Sequence, residues 1–196
     1  METIVDLRAG FGQGRSVTHA PMQADDAALV RAAQAGDAEA FTALYLRYHR
    51  MVHGVLLAHA PGAEVADLVQ DVFLLALRKL HTLRDAAAFG GWISVIARNR
   101  ARDFFRRSRP TCELSEELPG GGTPRAEALA ALAAIRELPE AYREPLILRL
   151  VEGMTGPEIA ARTGLTAASV RVNLHRGMRR LREKLGLPLS TRQATE

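Results

Sequence analysis

Residues 154–185 read MTGPEIAARTGLTAASVRVNLHRGMRRLREKL, and this stretch decides the fold. Two helix starts stand eleven residues apart in it. Thr155 with Glu158 makes a Thr-x-x-Glu capping box, each side chain serving the other residue's backbone N–H, and Thr166 offers a hydroxyl cap to AASVRV. Between them Gly164 lies four residues beyond Ala160, small where two helices cross and free to turn. A short helix, a glycine turn and a longer helix predict a helix-turn-helix. Winding the second helix at ~100° per residue gathers Val170, Leu174, Met178, Leu181 and Leu185 on one face, a core stripe. The other face holds Arg171, Val172, His175, Arg176, Arg179 and Arg182. An apolar back with an arginine front suits a recognition helix in a major groove, its first residues at base edges and its later arginines on phosphates.

Immediately upstream, Leu129, Leu132, Ile135 and Leu138 form a helical stripe, and Pro139 sets up a further helix, EAYREPLILRLVEG. Pro145 removes one backbone donor there and should kink or delay that helix. Before it, residues 110–124, PTCELSEELPGGGTP, hold three prolines, three consecutive glycines, three glutamates and no basic residue. Such a segment closes no core and is expected to be an extended acidic linker.

The half that precedes the linker is also helical in pattern. Asp25 and Asp26 can cap ALVRAAQA, which Gly36 stops, and Asp37 caps a longer helix with Phe41, Leu44, Tyr45, Tyr48, Val52, Val55 and Leu56 at helical spacing. Pro61-Gly62 ends it. A third helix, from about Glu64 to Leu80, buries Val65, Leu68, Val69, Val72, Phe73, Ala76 and Leu80. Its opposite face carries Asp67, Gln70, Asp71, Leu74 and Arg78, a row able to dock another protein's helix around an exposed leucine. After HTLRDAA comes FGGWISVIARNRARDFFRRSR, with Phe89, Trp92, Ile93, Ile96 and Phe104 as core and Arg98, Arg102, Arg106 and Arg109 along another face beside Asn99. Arginines, an amide and a neighbouring loop suit a nucleic-acid backbone and an unstacked base. No useful strand alternation occurs, so the fold class is all-α: two small helical domains joined by a flexible linker, the second containing the helix-turn-helix.

Composition narrows the function. Lys and Arg number 26 against 22 Asp and Glu, a net charge of +4. The excess is local: residues 89–109 carry six arginines and one Asp, and residues 166–185 carry six Lys or Arg and one Glu. Two basic stretches predict two contacts with a polyanion. The one cysteine, Cys112, excludes an internal disulfide and a cysteine-rich zinc site, and no apolar run nears the ~20 residues that span a bilayer. No signal-peptide core is evident, and a cytoplasmic protein with no membrane insertion is expected. His49 and His53 stand four apart without an evident third ligand and read as surface histidines, so no metal or cofactor is expected. There is no Gly-x-Ser-x-Gly, phosphate loop or paired-acid arrangement, which argues against an enzyme and against a small-molecule substrate. A stand-alone helix-turn-helix regulator would need neither the docking row nor the second arginine helix.

The segments ALVRAAQAGDAEAFTALYLRY, ADLVQDVFLLAL, FGGWISVIARNRARDFFRR and LPEAYREPLILRLVEGMTGPEIAARTGLTAASVRVNLHRGMRRLREKL, in this order and spacing, resemble the sigma-70 type transcription initiation factors, specifically the extracytoplasmic function (ECF) group. Residues 1–24, with three glycines and little periodicity, are expected to form a mobile tail, and 186–196 a second tail; between them and around the linker over 110–124 the resemblance implies a region 2-like domain over 25–109 and a region 4-like domain over 125–185. It implies binding to core RNA polymerase and to promoter DNA, both duplex and melted single strand. Asp67, Gln70, Asp71 and Leu74, with Arg78, match the segment that docks on the polymerase clamp helices. The connection from His81 to Ala88, with Arg84 and Asp85, matches the loop that receives a flipped base of the minus-ten element, and Arg98, Asn99, Arg102 and Arg106 would meet that DNA. Arg171, Val172, His175 and Arg176 match the readers of the minus-thirty-five element, joined by Thr166, Ser169 and Arg179. The acidic linker matches the segment that threads the active-site cleft. Members often carry serine and arginine where this chain has Val172 and Asn173, so a promoter sequence does not transfer. Control by an anti-sigma factor is implied as well.

Overall fold

A computed structural model describes residues 26–107 and 124–187; the expected N-terminal tail, nearly all of the linker and most of the C-terminal tail lie outside the described residues. Eight α-helices follow in order: α1 Asp26–Gln34, α2 Ala38–His59, α3 Val65–Lys79, α4 Phe89–Arg107, α5 Pro124–Arg136, α6 Glu140–Leu150, α7 Gly156–Thr163 and α8 Ala167–Lys184. Among the described residues there is no strand. Short 3-10 turns at Gly62–Glu64, Leu80–Thr82 and Ala86–Ala88 join α2 to α3 and α3 to α4.

The helix ends follow local chemistry. Gly36 takes φ +98° between α1 and α2, a conformation that costs a glycine little. Asp37 then caps α2 by accepting from the Glu39 and Ala40 backbone N–H groups at 2.8 and 3.1 Å. The Thr155–Glu158 capping box forms as expected, Gly164 ends α7 at φ +75°, and the Thr166 hydroxyl accepts from Ser169 N to start α8. Pro145 neither delays nor interrupts α6, which begins at Glu140 and runs through it. Pro145, the sixth of eleven residues, forgoes the interior bond to Ala141 O, and the complete burial of Leu146, Ile147 and Leu148 just beyond offsets that loss, at about 1.5–3 kcal/mol for each such side chain.

Helix α2 is the axis of the molecule, packed against α1, α3 and α4 on its own side of the linker and against α6 from the other. The two halves share one hydrophobic core. Leu44, Met51, Val52 and Leu56 of α2, Val72 of α3, and Phe89 and Ile93 of α4 belong to the same cluster as Ile135, Leu146, Ile147, Leu148 and Ile159. Glycine makes the closest approaches possible. A Cβ on Gly54 would stand 2.6 Å from Leu148 Cδ2, and one on Gly90 would stand 2.4 Å from the Arg162 carbonyl oxygen. The turn of the helix-turn-helix thus rests on the start of α4.

Candidate nucleic-acid and protein interfaces

Helix α8 turns its apolar side inward and its basic side out. Val170 and Leu181 are buried, and Leu174, Met178 and Leu185 pack partly buried on the core. Gly177 lets α8 lie against α6, since a Cβ there would be 3.0 Å from Tyr142 Cβ. Arg171, Val172, His175, Arg176 and Arg179 are all exposed, and Arg182 is half-buried. Arg179 reaches along the helix to Glu183 at 3.7 Å. Thr166 and Ser169 are exposed at the helix start, where the Thr166 hydroxyl donates to Ser169 Oγ at 2.8 Å. The set expected from sequence is therefore together on one free face. Its guanidinium groups and helix N-terminus suit a phosphate backbone and base edges.

Helix α3 presents the expected docking row. Asp67, Gln70, Leu74 and Arg78 are exposed, with Leu74 at 54%. Leu77, one turn from Leu74 and 49% exposed, extends the apolar anchor and was missed in the sequence. The signal was there, since Leu74 and Leu77 are three apart on a helix whose buried stripe was already filled. Asp71 is only half exposed, because Arg100 of α4 reaches it, with Nε at 3.0 Å from Oδ2.

Helix α4 supports the second basic row, and here the surroundings differ. Phe89 and Ile93 are fully buried, Trp92 is partly buried and packs on Phe89 with ring centroids 5.8 Å apart, and the buried Ser94 hydroxyl donates to Gly90 O. Asn99, Arg102 and Arg106 are exposed, while Arg98 is half-buried. Arg98 makes a two-pronged pair with Glu144 of α6, Nε to Oε1 at 2.7 Å and Nη2 to Oε2 at 2.9 Å. One turn on, Arg102 meets Glu140 of α6 at 3.2 Å. Arg106 pairs with Asp103 of its own helix at 3.0 Å. In the loop before α4, Arg84 and Asp85 are exposed, and the Asp85 carboxylate caps the 3-10 turn by accepting from Ala87 N at 3.0 Å.

The histidines also face the other half. His49 stacks on His53 with centroids 6.4 Å apart, and burial, then the neighbouring His53, holds its pKa below the ordinary imidazole value. Rather than lying free at the surface, His53 Nδ1 stands 2.7 Å from Glu152 Oε1, and His59 Nε2 stands 2.8 Å from Glu144 Oε1. Both glutamates are only 7% exposed. Burial pushes the Glu144 carboxyl up, but hydrogen bonds from His59 and Arg98 and the charge of Arg98 prevail and hold it below the usual carboxylate range. These partners lie far apart in the chain, so spacing could not announce them.

Comparison with known proteins points one way. Residues 44–111 match the family model described as sigma-70 region 2, and residues 128–181 match that of sigma-70, region 4. The ECF RNA polymerase sigma-E factor of Escherichia coli (strain K12) is 29% identical, over 83% of this chain and 95% of that protein. The ECF RNA polymerase sigma-E factor of Haemophilus influenzae is 30% identical, over 83% of this chain and 96% of its own. Among solved structures, CnrH in complex with the cytosolic domain of CnrY is similar at a TM-score of 0.60 and 26% identity, covering 83% of this chain and 98% of that one.

Proposed function

This chain belongs to the ECF group of the sigma-70 family, a non-enzymatic transcription initiation factor that binds core RNA polymerase and promoter DNA, and from that premise we propose which of its surfaces carries each task. Helix α8 reads the minus-thirty-five duplex, with Arg171, Val172, His175 and Arg176 at base edges and Thr166, Ser169 and Arg179 on the backbone. The observation that carries this assignment is the exposed basic face, Arg171, His175, Arg176 and Arg179, on a doubly capped helix-turn-helix. Helix α4 and the loop before it meet the minus-ten strand through Arg98, Asn99, Arg102 and Arg106, with Arg84 and Asp85 beside the captured base. Helix α3 docks on polymerase through Asp67, Gln70, Asp71, Leu74 and Arg78, and Leu77 joins them.

The mechanism is positional rather than chemical. Each basic face alone binds DNA mainly through phosphates, with affinity that falls as salt rises. Held on polymerase, the second contact becomes intramolecular and draws on a high effective concentration. Capturing an extruded base offsets an unpairing cost on the order of a few kcal/mol and so couples recognition to strand opening. The working place is the cytoplasm, where polymerase and promoter meet; among the described residues no helix is long and apolar enough to cross a membrane. We further infer control by an anti-sigma protein, in line with the complex that the similar CnrH forms with CnrY.

Co-elution with purified bacterial core polymerase on gel filtration tests the docking assignment. The normal chain should co-elute and the Asp71→Arg, Leu74→Ala variant should not. Undiminished binding of that variant would remove α3 as the docking face.

A further inference from the structure

Among the large apolar side chains of α8, Val172 alone is exposed, at 39%. It stands among Arg171, His175 and Arg176, which are exposed as well. The direction of its side chain is set by the core. Val170 is 1% exposed, and two residues along an α-helix turn the side chain by about 200°, from the core to the outer face. The Thr166 hydroxyl accepts from Ser169 N at 3.1 Å and so holds the first turn of the helix, where such helices meet base edges. One turn before Val172, Ala168 is exposed on the same side. The two residues form a short apolar strip bordered by cationic side chains.

The packing of α8 does not call for this strip, because Val170, Leu174, Met178, Leu181 and Leu185 already meet the core on the other side. Valine is also a poorer helix former than alanine. What its β-branch supplies is stiffness: one preferred χ1 holds both methyl groups in a fixed direction. Duplex DNA offers such a surface one complementary feature. In the major groove guanine presents acceptors, cytosine a donor and adenine one of each, whereas thymine adds a 5-methyl group. Valine neither donates nor accepts, so against a polar edge it would leave that edge unpaired, and it gains only where a methyl group is buried against it. Arg171 and Arg176 beside it suit guanine, whose O6 and N7 a guanidinium can meet together.

We infer that Val172, backed by Ala168, reads the 5-methyl group of a thymine in the duplex that α8 contacts, and so makes thymine a requirement at one position of that element. The inference rests on the reading of α8 as the minus-thirty-five reader and gives that site a base identity. Specificity on this face is then of two kinds. The arginines select by hydrogen bonding, and Val172 selects by the presence of a methyl group.

The test uses the full chain bound to bacterial core RNA polymerase. That complex enriches duplexes from a random-sequence library, and fluorescence anisotropy reads its affinity for the enriched sequence. Each thymine of the minus-thirty-five segment, on either strand, is then replaced by deoxyuridine, which removes the methyl group and keeps the hydrogen-bonding edge. One position should lose about fourfold in affinity, the worth of one buried methyl group. Val172→Ala should lose a similar factor on the thymine duplex and nothing further on the deoxyuridine duplex. Val172→Ile keeps the β-branch and should stay sensitive to the replacement. Val172 lies outside the core, so thermal melts of both variants should match that of the normal chain. If a minus-thirty-five segment is enriched and no thymine in it responds, polar groups alone read it, and the inference falls while the reading of α8 stands. If one thymine responds equally in Val172→Ala, its methyl group meets another residue, and the inference falls again. If no such segment is enriched and Arg176→Ala leaves affinity unchanged, α8 is not a duplex reader, and both fall together.

Discussion

Helices α4 and α8 each present a row of arginines, yet the α4 row meets carboxylates of the opposite half and the α8 row meets none from across the molecule at Arg171 and Arg176, which face solvent. On α8, Arg171 and Arg176 are exposed above a back face of Val170 and Leu181 that fixes the helix in the core. On α4, Arg98 and Arg102 are held by Glu144 and Glu140 from across the molecule. The difference teaches that a basic helix is not a DNA site by virtue of its charge alone. What faces it decides whether phosphate can reach it.

The comparison breaks most sharply at Arg98. Arg98→Ala leaves Glu144 buried with His59 as its remaining partner, and stability should fall by about 2 kcal/mol, short of the 3–5 kcal/mol for a fully stranded buried charge. Arg176→Ala on the exposed row should leave the melting temperature almost unchanged and weaken duplex binding by about 1–3 kcal/mol, with polymerase co-elution intact. Equal losses of stability in the two variants, read from thermal melts, would mean that the rows are alike after all.

Acid sharpens the same contrast with a smaller effect, because a protonated carboxyl still makes hydrogen bonds. Glu144 is held below the ordinary value of 4.5, so it contributes stability that is present above that value and lost as the pH falls through the lower folded one. Acidification through this window should loosen the contact between α6 and α4, and Glu144→Gln should remove that part of the pH dependence of stability. Titration of unfolding free energy by denaturant at several pH values checks it. The smallest effect is expected at the α7 cap. Thr155→Ala deletes the capping box and should cost about 1 kcal/mol, lowering duplex affinity only through the mobility of the helix pair.

Much of this was legible beforehand because it is local. Asp37, Thr155 and Thr166 cap the helices that follow them, and Gly36 and Gly164 take the left-handed conformations that end helices. The buried stripe of α3, Val65 through Ala76, follows from a 3.6-residue period that any chain of this pattern must obey. The expected site residues fall on faces of α3, α4 and α8 for the same reason, apart from Arg84 and Asp85 in the loop before α4 and Thr166 at the cap of α8. Leu77 escaped notice although its spacing from Leu74 was visible. His53 and His59 could not be read as interface residues, since their partners Glu152 and Glu144 lie 99 and 85 residues away.

By itself, then, the sequence determined the helices, most of their ends, their apolar sides and the polar faces of α3, α4 and α8 opposite those sides. Those depend on neighbours within a few residues, where backbone geometry leaves little choice. Only the tertiary structure decided that the halves share a core through Gly54 and Leu148, that Gly90 accepts the Arg162 backbone, and that α6 lends its carboxylates to α4. Such contacts arise from shape and charge complementarity between surfaces distant in the chain, and no local period encodes which surface meets which.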